Sequence, residues 1–293
     1  MKIVIAAASG NIGRRAAEKV VQAEVETILL TRQPEKVADL AEGAMVKPIS
    51  SDDALGLIEA TQDADALFWV TPPKLDASGL GDWYIQTAMA GARAVRENKI
   101  KRVVNISSLG AGAAADLGTI TFVGMVESIF NESCSNVLHL RPGYFMENFL
   151  GQVKFIQQDN AVYFPYDSDH DIPWISTDDI GDEAAKYLLS DRWAGQWTRN
   201  LMGPENLTLP ETTAILSRVL NRSIRYVQVT VESIQQQLAS TGATPDVQRE
   251  LGNLFRALNN PDGIYATART PEAITPTTFE QFATHKLLKQ ILN

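Results

Sequence analysis

Short runs of apolar residues recur along the first half of the chain, separated by stretches in which apolar positions return every three or four residues. Ile3-Val4-Ile5-Ala6 reads as a buried strand, and Ile12, Ala16 and Val20, spaced four apart, mark one face of the helix that follows a Gly-containing turn. Further strands are predicted at 26–30, 44–46, 66–70, 102–106 and 137–140, with helical stretches between them. Strands that are apolar throughout and alternate with amphipathic helices predict a parallel sheet covered on both faces, a doubly wound α/β fold. Pro72-Pro73 and Arg141-Pro142-Gly143 fall just beyond predicted strands, at the carboxyl edge where such sheets bind ligands.

After about residue 150 the alternation fails. Residues 160–174 are polar and aromatic and predict an irregular excursion. Ile175-Ser176-Thr177-Asp178-Asp179-Ile180 reads as a strand end capping a helix that runs through Ala184, Ala185 and Leu188, with Asp178 or Asp179 at the N-cap. Beyond it the pattern predicts a helix at 210–220, a strand at 224–229 and helices at 231–240, 246–258 and 278–292. The expected organisation is a dinucleotide-binding domain at 1–150, completed by about 175–203. A smaller, mostly helical C-terminal lobe is expected at about 151–174 and 204–293.

Charge changes this picture more than composition does. Over 293 residues, 35 Asp and Glu outweigh 26 Lys and Arg, a formal net charge of -9. Broad binding to nucleic acid or to an anionic membrane surface is thereby disfavoured. A bound anion must be held by local devices such as backbone amides or a few placed Arg. One cysteine, Cys134, rules out an intramolecular disulfide framework and reads as a small half-buried residue. The apolar start is too short for a signal peptide, and the expected location is cytoplasmic. The three histidines, His139, His170 and His285, are scattered and give no metal site. His139 lies within an apolar strand and reads as core, His170 as part of a solvated loop and His285 as surface.

The strongest local signal is Ala7-Ala8-Ser9-Gly10-Asn11-Ile12-Gly13, set between the first strand and first helix. A dinucleotide pyrophosphate needs close backbone approach, amides at a helix N-terminus and tight helix packing, and residues Ser9, Gly10, Asn11, Ile12 and Gly13 fit that need. Ala7 stands where such fingerprints carry their first Gly, which requires a negative φ there. Arg32 ends the second strand nineteen residues after Gly13, where an NAD site would place an acid and an NADP site an Arg. With Lys36 one turn on, and Arg14 and Arg15 just past the cradle, NADP(H) is favoured over NAD(H).

Taken in order, MKIVIAAASGNIGR, LLTRQPEKV, DADALFWVTPP, IKRVVNISSLGA, LHLRPGYFMENFL, PWISTDDIGDEAAKYL and LMGPENLTLPE resemble the NmrA-like branch of atypical short-chain dehydrogenases/reductases. The resemblance implies an NAD(P)-binding Rossmann domain with a small C-terminal lobe over the nicotinamide end. It implies Thr71 and Pro72 along the cofactor, Ser107 and Ser108 near the nicotinamide, and Pro142 to Phe145, Tyr144 included, around its pocket. The family's frequent Asp near the adenine is replaced by Ser50. Aligned on Glu127, the family's catalytic Tyr and Lys fall on Thr119 and Val123, neither of which transfers a proton.

Two functions remain. One is an NADPH-dependent reductase of a small quinone-like, azo or cationic aromatic acceptor, which needs less help from a protein acid than a ketone does. The other is a non-catalytic NADP(H) sensor acting through protein contacts, and a protein partner or homodimer stays open with it. Tyr144, Phe145 and Met146 read as pocket wall. Tyr163, Phe164 and Trp174 read as lid or as ordinary aromatic core, and Glu127 as a helix-face charge partnered to backbone or Arg.

Overall fold

A computed structural model describes residues 1–113 and 116–292. Its first half builds β1 (Lys2–Ile5), α1 (Asn11–Gln22), β2 (Glu26–Leu30), β3 (Met45–Lys47), α2 (Ala54–Ala60), β4 (Ala66–Trp69), α3 (Leu80–Glu97), β5 (Arg102–Ile106), α4 (Thr119–Ser133) and β6 (Val137–Pro142). Then come β7 (Tyr144–Phe145), α5 (Val153–Asp159), β8 (Ala161–Phe164), β9 (Ile172–Ile175), α6 (Thr177–Leu188) and β10 (Gln196–Leu201). The chain ends with β11 (Asn206–Leu207), α7 (Leu209–Leu220), β12 (Arg225–Gln228), α8 (Val231–Ser240), α9 (Pro245–Leu258) and a last helical run from Phe279 to Leu292, interrupted by a π-helical turn at Ala283–Leu287.

Seven strands form one parallel sheet in the order β10-β6-β5-β4-β1-β2-β3. Alternate residues of each strand enter opposite cores, because strand side chains point to opposite faces. Val4, Leu67, Trp69 and Val103 pack under α2, α3 and α4, while Ile3, Ile5, Phe68 and Val104 pack under α1 and α6. Doubly wound α/β architecture follows directly, and strand order reverses between β1 and β4, which opens a crevice at the carboxyl ends. Helices α1 and α6 touch closely at Gly181, where an added Cβ would lie 2.6 Å from Arg15 Cβ.

The lobe has its own apolar cluster, built from Phe149, Phe164, Trp174, Leu209, Phe279 and neighbours. Residues 160–174 are not the irregular excursion predicted. They contain β8, paired in parallel with β12, and β9, flanked by β7 and β11. All three pairings join segments far apart in sequence, so local pattern does not reveal them. Capping of α6 also differs from expectation. Ser176 is the N-cap, its Oγ accepting from Asp178 N. Asp178 instead pairs with Lys286 at 2.9 Å, and Asp179 accepts from Thr277 N at 3.0 Å and Thr277 Oγ1 at 2.6 Å. Those two acids fasten the last segment to the main domain. No helix among the described residues is long and apolar enough to cross a membrane.

Candidate cofactor and substrate site

One elongated cavity of about 650 Å³ runs across the carboxyl edge of the sheet. The residues singled out from the sequence line it together: Ser9, Gly10, Asn11, Ile12 and Gly13 on the floor, Arg32 and Lys36 at one end, Thr71 and Pro72 along one side, and Ser107, Pro142 and Tyr144 toward the other end.

The floor is the turn from β1 into α1, held by Ala8 N donating to Leu30 O and Gly10 N donating to Ala7 O, both at 3.0 Å. At Gly13 a Cβ would lie 2.4 Å from Ala7 O, so any side chain would push α1 off the strand. Ala7 overturns the expectation of a negative φ. Its φ is +51°, in the left-handed region that an L side chain enters at a cost of about 1–2 kcal/mol. The turn therefore keeps a glycine geometry with alanine in it. Helix α1 has no side-chain cap and no acid in its first turn, which leaves its end amides and positive dipole available to an anion.

At the β2 end, Thr31 Oγ1 donates to Ser9 Oγ at 2.7 Å and accepts from Gln33 N, tying the cradle to the segment that carries Arg32. Arg32 and Lys36 are exposed, and among the described residues neither side chain forms an ion pair. Arg14 and Arg15 do not help at this end. Arg14 binds Asp39 (2.5 Å) and Glu18 (3.0 Å), Arg15 binds Asp182 (2.6 Å), and neither lines the cavity. Ser50 lines it beside Ser51 and bonds the Asp52 carboxylate.

The opposite end lies where β5, α4 and β6 meet. Thr119 and Val123, onto which the resemblance carries the family's Tyr and Lys, both line the cavity, and α4 carries no Tyr, Lys or His. Glu127 is buried and gripped by Arg141 of β6, Nε to Oε1 at 2.8 Å and Nη2 to Oε2 at 2.6 Å. Burial pushes its carboxyl up, but the Arg141 bonds and the nearby Ser107 hydroxyl outweigh burial and hold it below the ordinary carboxylate range. The Ser107 hydroxyl lies beside that carboxylate without a well-aligned bond to it, and Thr177 Oγ1 is likewise buried without a partner; both residues line the cavity. His139 is core: Asn105 Nδ2 lies 3.0 Å from Nδ1 and Asn131 Oδ1 3.0 Å from Nε2, an arrangement that suits a neutral ring protonated at Nε2. Burial pushes it down to about 4.

The wall at this end is uncharged. Trp83 and Tyr84 of α3, Leu251, Leu254 and Leu258 of α9, and Tyr144 and Tyr265 form it. Sequence reading missed all of these but Tyr144. The three- and four-residue spacing of the leucines signals an apolar helix face, but which cavity that face meets is a tertiary matter. Phe164 and Trp174 are lobe core rather than lid, 4% and 1% exposed, and Tyr163 packs on Phe155. His170 corrects the expectation of a solvated loop: it is buried and stacks between Tyr166 and Tyr265, with ring centroids 6.2 and 5.9 Å away. Cys134 is buried and its thiol is pushed up by burial.

Fold and crevice together define a Rossmann-type α/β protein with a ligand cavity at its topological switch point. The chain belongs to the NmrA-like family, whose model matches residues 1–283. It is 25% identical over 291 residues to the NAD(P)H azoreductase of Xenophilus azovorans, with 96% of each chain covered. Among solved structures it is similar to the NADPH-dependent quinone oxidoreductase of Escherichia coli complexed with NADPH, with TM-score 0.74, 20% identity, and 97% of this chain and 99% of that one covered. It is also similar to the triphenylmethane reductase of Citrobacter sp. complexed with NADP(H), with TM-score 0.79, 17% identity, and 99% and 100% covered.

Proposed function

We propose that this protein is an NADPH-dependent reductase of small, flat aromatic acceptors of quinone, azo or cationic-dye type, working without the Tyr/Lys dyad. The observation that carries this reading is a single cavity joining the glycine cradle and the unpaired Arg32 and Lys36 to an uncharged wall of aromatic and leucine side chains. The activities of the azoreductase, quinone oxidoreductase and triphenylmethane reductase relatives support it.

The residues present fit the cofactor. Amides at 9–13 would hold the pyrophosphate, Arg32 with Lys36 the 2′-phosphate, and Ser107, Pro142 and Tyr144 the nicotinamide end. The Thr177 hydroxyl, buried and without a partner among the described residues, is a group a polar ligand would satisfy. Bound there, the reduced nicotinamide supplies a hydride. The chain itself contributes positioning and an apolar wall made by Trp83, Tyr84, Leu254 and Tyr265. A sensor has no use for an acceptor space with such a wall.

Stoichiometric NADPH oxidation with a panel of quinone, azo and triarylmethyl acceptors tests the activity; NADPH binding without turnover of any of them would sink the reductase reading. Arg32→Glu is expected to weaken NADPH binding by at least about tenfold and NADH binding far less, as measured by fluorescence titration. Equal loss for both would remove Arg32 as the 2′-phosphate ligand.

A further inference from the structure

We propose that Tyr144 is the proton donor to the reduced acceptor, a role for which helix α4 offers no side chain. The inference rests on the reductase reading above. An azo bond that gains a hydride at one nitrogen leaves a strongly basic anion on the other, so its reduction needs an acid, whereas a triarylmethyl cation needs the hydride alone.

The acid must be a phenol. Ser107, Ser108 and Thr119 also carry hydroxyls into the cavity, but an alkoxide is far too basic to be left behind. Three phenols line the cavity: Tyr84, Tyr144 and Tyr265. Tyr84 and Tyr265 have no side chain that stabilises their anions, and only burial or like charge acts on them. The Tyr144 hydroxyl instead lies beside the Tyr166 hydroxyl and the Asn148 side chain, and both favour its phenolate. The Tyr166 hydroxyl is fully buried without a well-formed hydrogen bond, so its proton is available to that phenolate.

Position agrees with this assignment. Tyr144 stands two residues past Pro142, whose carbonyl accepts from Leu109 N at 3.0 Å, so it adjoins the β5 end where Ser107 lies. Edge contacts at ring-centroid distances of 5.1 Å to Trp174 and 5.5 Å to Tyr166 fix its ring. Burial pushes Tyr144 up to about 12, which keeps it protonated, and so a donor, at neutral pH.

The step balances. R–N=N–R′ takes a hydride at one nitrogen and the Tyr144 proton at the other, giving R–NH–NH–R′; NADPH becomes NADP⁺, and the phenolate recovers its proton from solvent past the exposed Asn148.

The test compares Tyr144→Phe with wild type on an uncharged azobenzene dye and on a triarylmethyl cation dye, at saturating NADPH, with circular dichroism and thermal unfolding as checks on folding. The azo-to-cation ratio of kcat is expected to fall by about a hundredfold. The residual azo rate should fall as pH rises through the neutral range, where wild type stays flat. A parallel loss with both dyes makes Tyr144 mere wall and overturns the proposal, as does a selective azo loss in Tyr265→Phe with the ratio intact in Tyr144→Phe. Wild-type turnover of the cation but not the azo dye overturns it while leaving the reductase reading standing; turnover of neither dye overturns it, and the reductase reading falls with it only when quinones are inert as well. Should Tyr144→Phe not fold, Tyr166→Phe must lower the same ratio, and an unchanged ratio overturns the proposal.

Discussion

Ala7 holds a left-handed conformation that glycine takes without strain, and it does so at the point where α1 leaves the sheet. Ala7→Gly should therefore raise the unfolding free energy, by about 0.5–1 kcal/mol once the looser unfolded chain is counted, as read from urea denaturation. An unchanged or lowered midpoint would show that the turn carries no such strain. His139 makes a pH prediction. Its folded pKa is depressed to about 4, first by burial and then by Arg141, with the Glu127 charge opposing. The unfolded chain takes up that proton near pH 6.5, so the contribution is complete above that value and is lost as pH falls toward 4, by about 3 kcal/mol in total. His139→Gln should flatten the fall in stability over this window, measured by denaturation at a series of pH values. The residue's type and its apolar neighbours mark it as core in the sequence. Its two asparagine partners, from β5 and α4, do not show there.

Helix α4 and strand β6 are joined by the Glu127–Arg141 fork, and this is where an element depends on a charge. Glu127→Ala leaves the guanidinium without its partner and should cost about 3 kcal/mol. The pair Glu127→Leu with Arg141→Met should recover most of that loss; if the double variant were as unstable as the single one, uncompensated charge would not be the cause. The inner strands β1, β4, β5 and β6 were legible because they are mostly apolar on both faces, and α1 because the Gly-containing turn before it and its periodicity agree. The edge strand β10, Gln196–Leu201, is mostly polar and carries no such run. Strands β8 and β9 were not legible either. Their aromatic and polar residues pair with segments tens of residues away, and one face of each packs in the lobe, so no local period distinguishes them from loop. Asp178 and Asp179 looked like caps because acids belong in a first helical turn. Their actual partners, Lys286 and Thr277, come from the last segment of the chain.

For the molecule as a whole, a net charge of -9 surrounds a cavity with one uncharged wall, where the proposed reductase would bind its acceptor. Cationic acceptors should thus be steered inward and anionic ones repelled. The kcat/KM for a cationic dye is expected to fall as salt is raised and that for a sulfonated dye to rise, with an uncharged quinone unaffected. The lobe closes the cavity through α9, anchored where Thr244 N donates to Leu75 O at 3.0 Å and Leu80 N donates to Asp246 at 2.7 Å. Those bonds bring Leu251, Leu254 and Leu258 over the loop after β4.

Alternating apolar strands and the placing of Gly10 and Gly13 after the first of them determined most of the sheet, its switch point and the glycine turn at the start of α1, because each depends on residues close together in the chain. The family resemblance, rather than any local period, is what sets Thr119 and Val123 of α4 against a Tyr and a Lys. Tertiary structure alone decided which cations stay unpaired, since Arg14 and Arg15 find carboxylates on other elements and Arg32 and Lys36 do not. It alone built the uncharged cavity wall, because Trp83, Tyr144, Leu254 and Tyr265 meet only when the lobe packs across the sheet edge. Side-chain contact over long sequence separation is set by packing, and packing is not written in any local period.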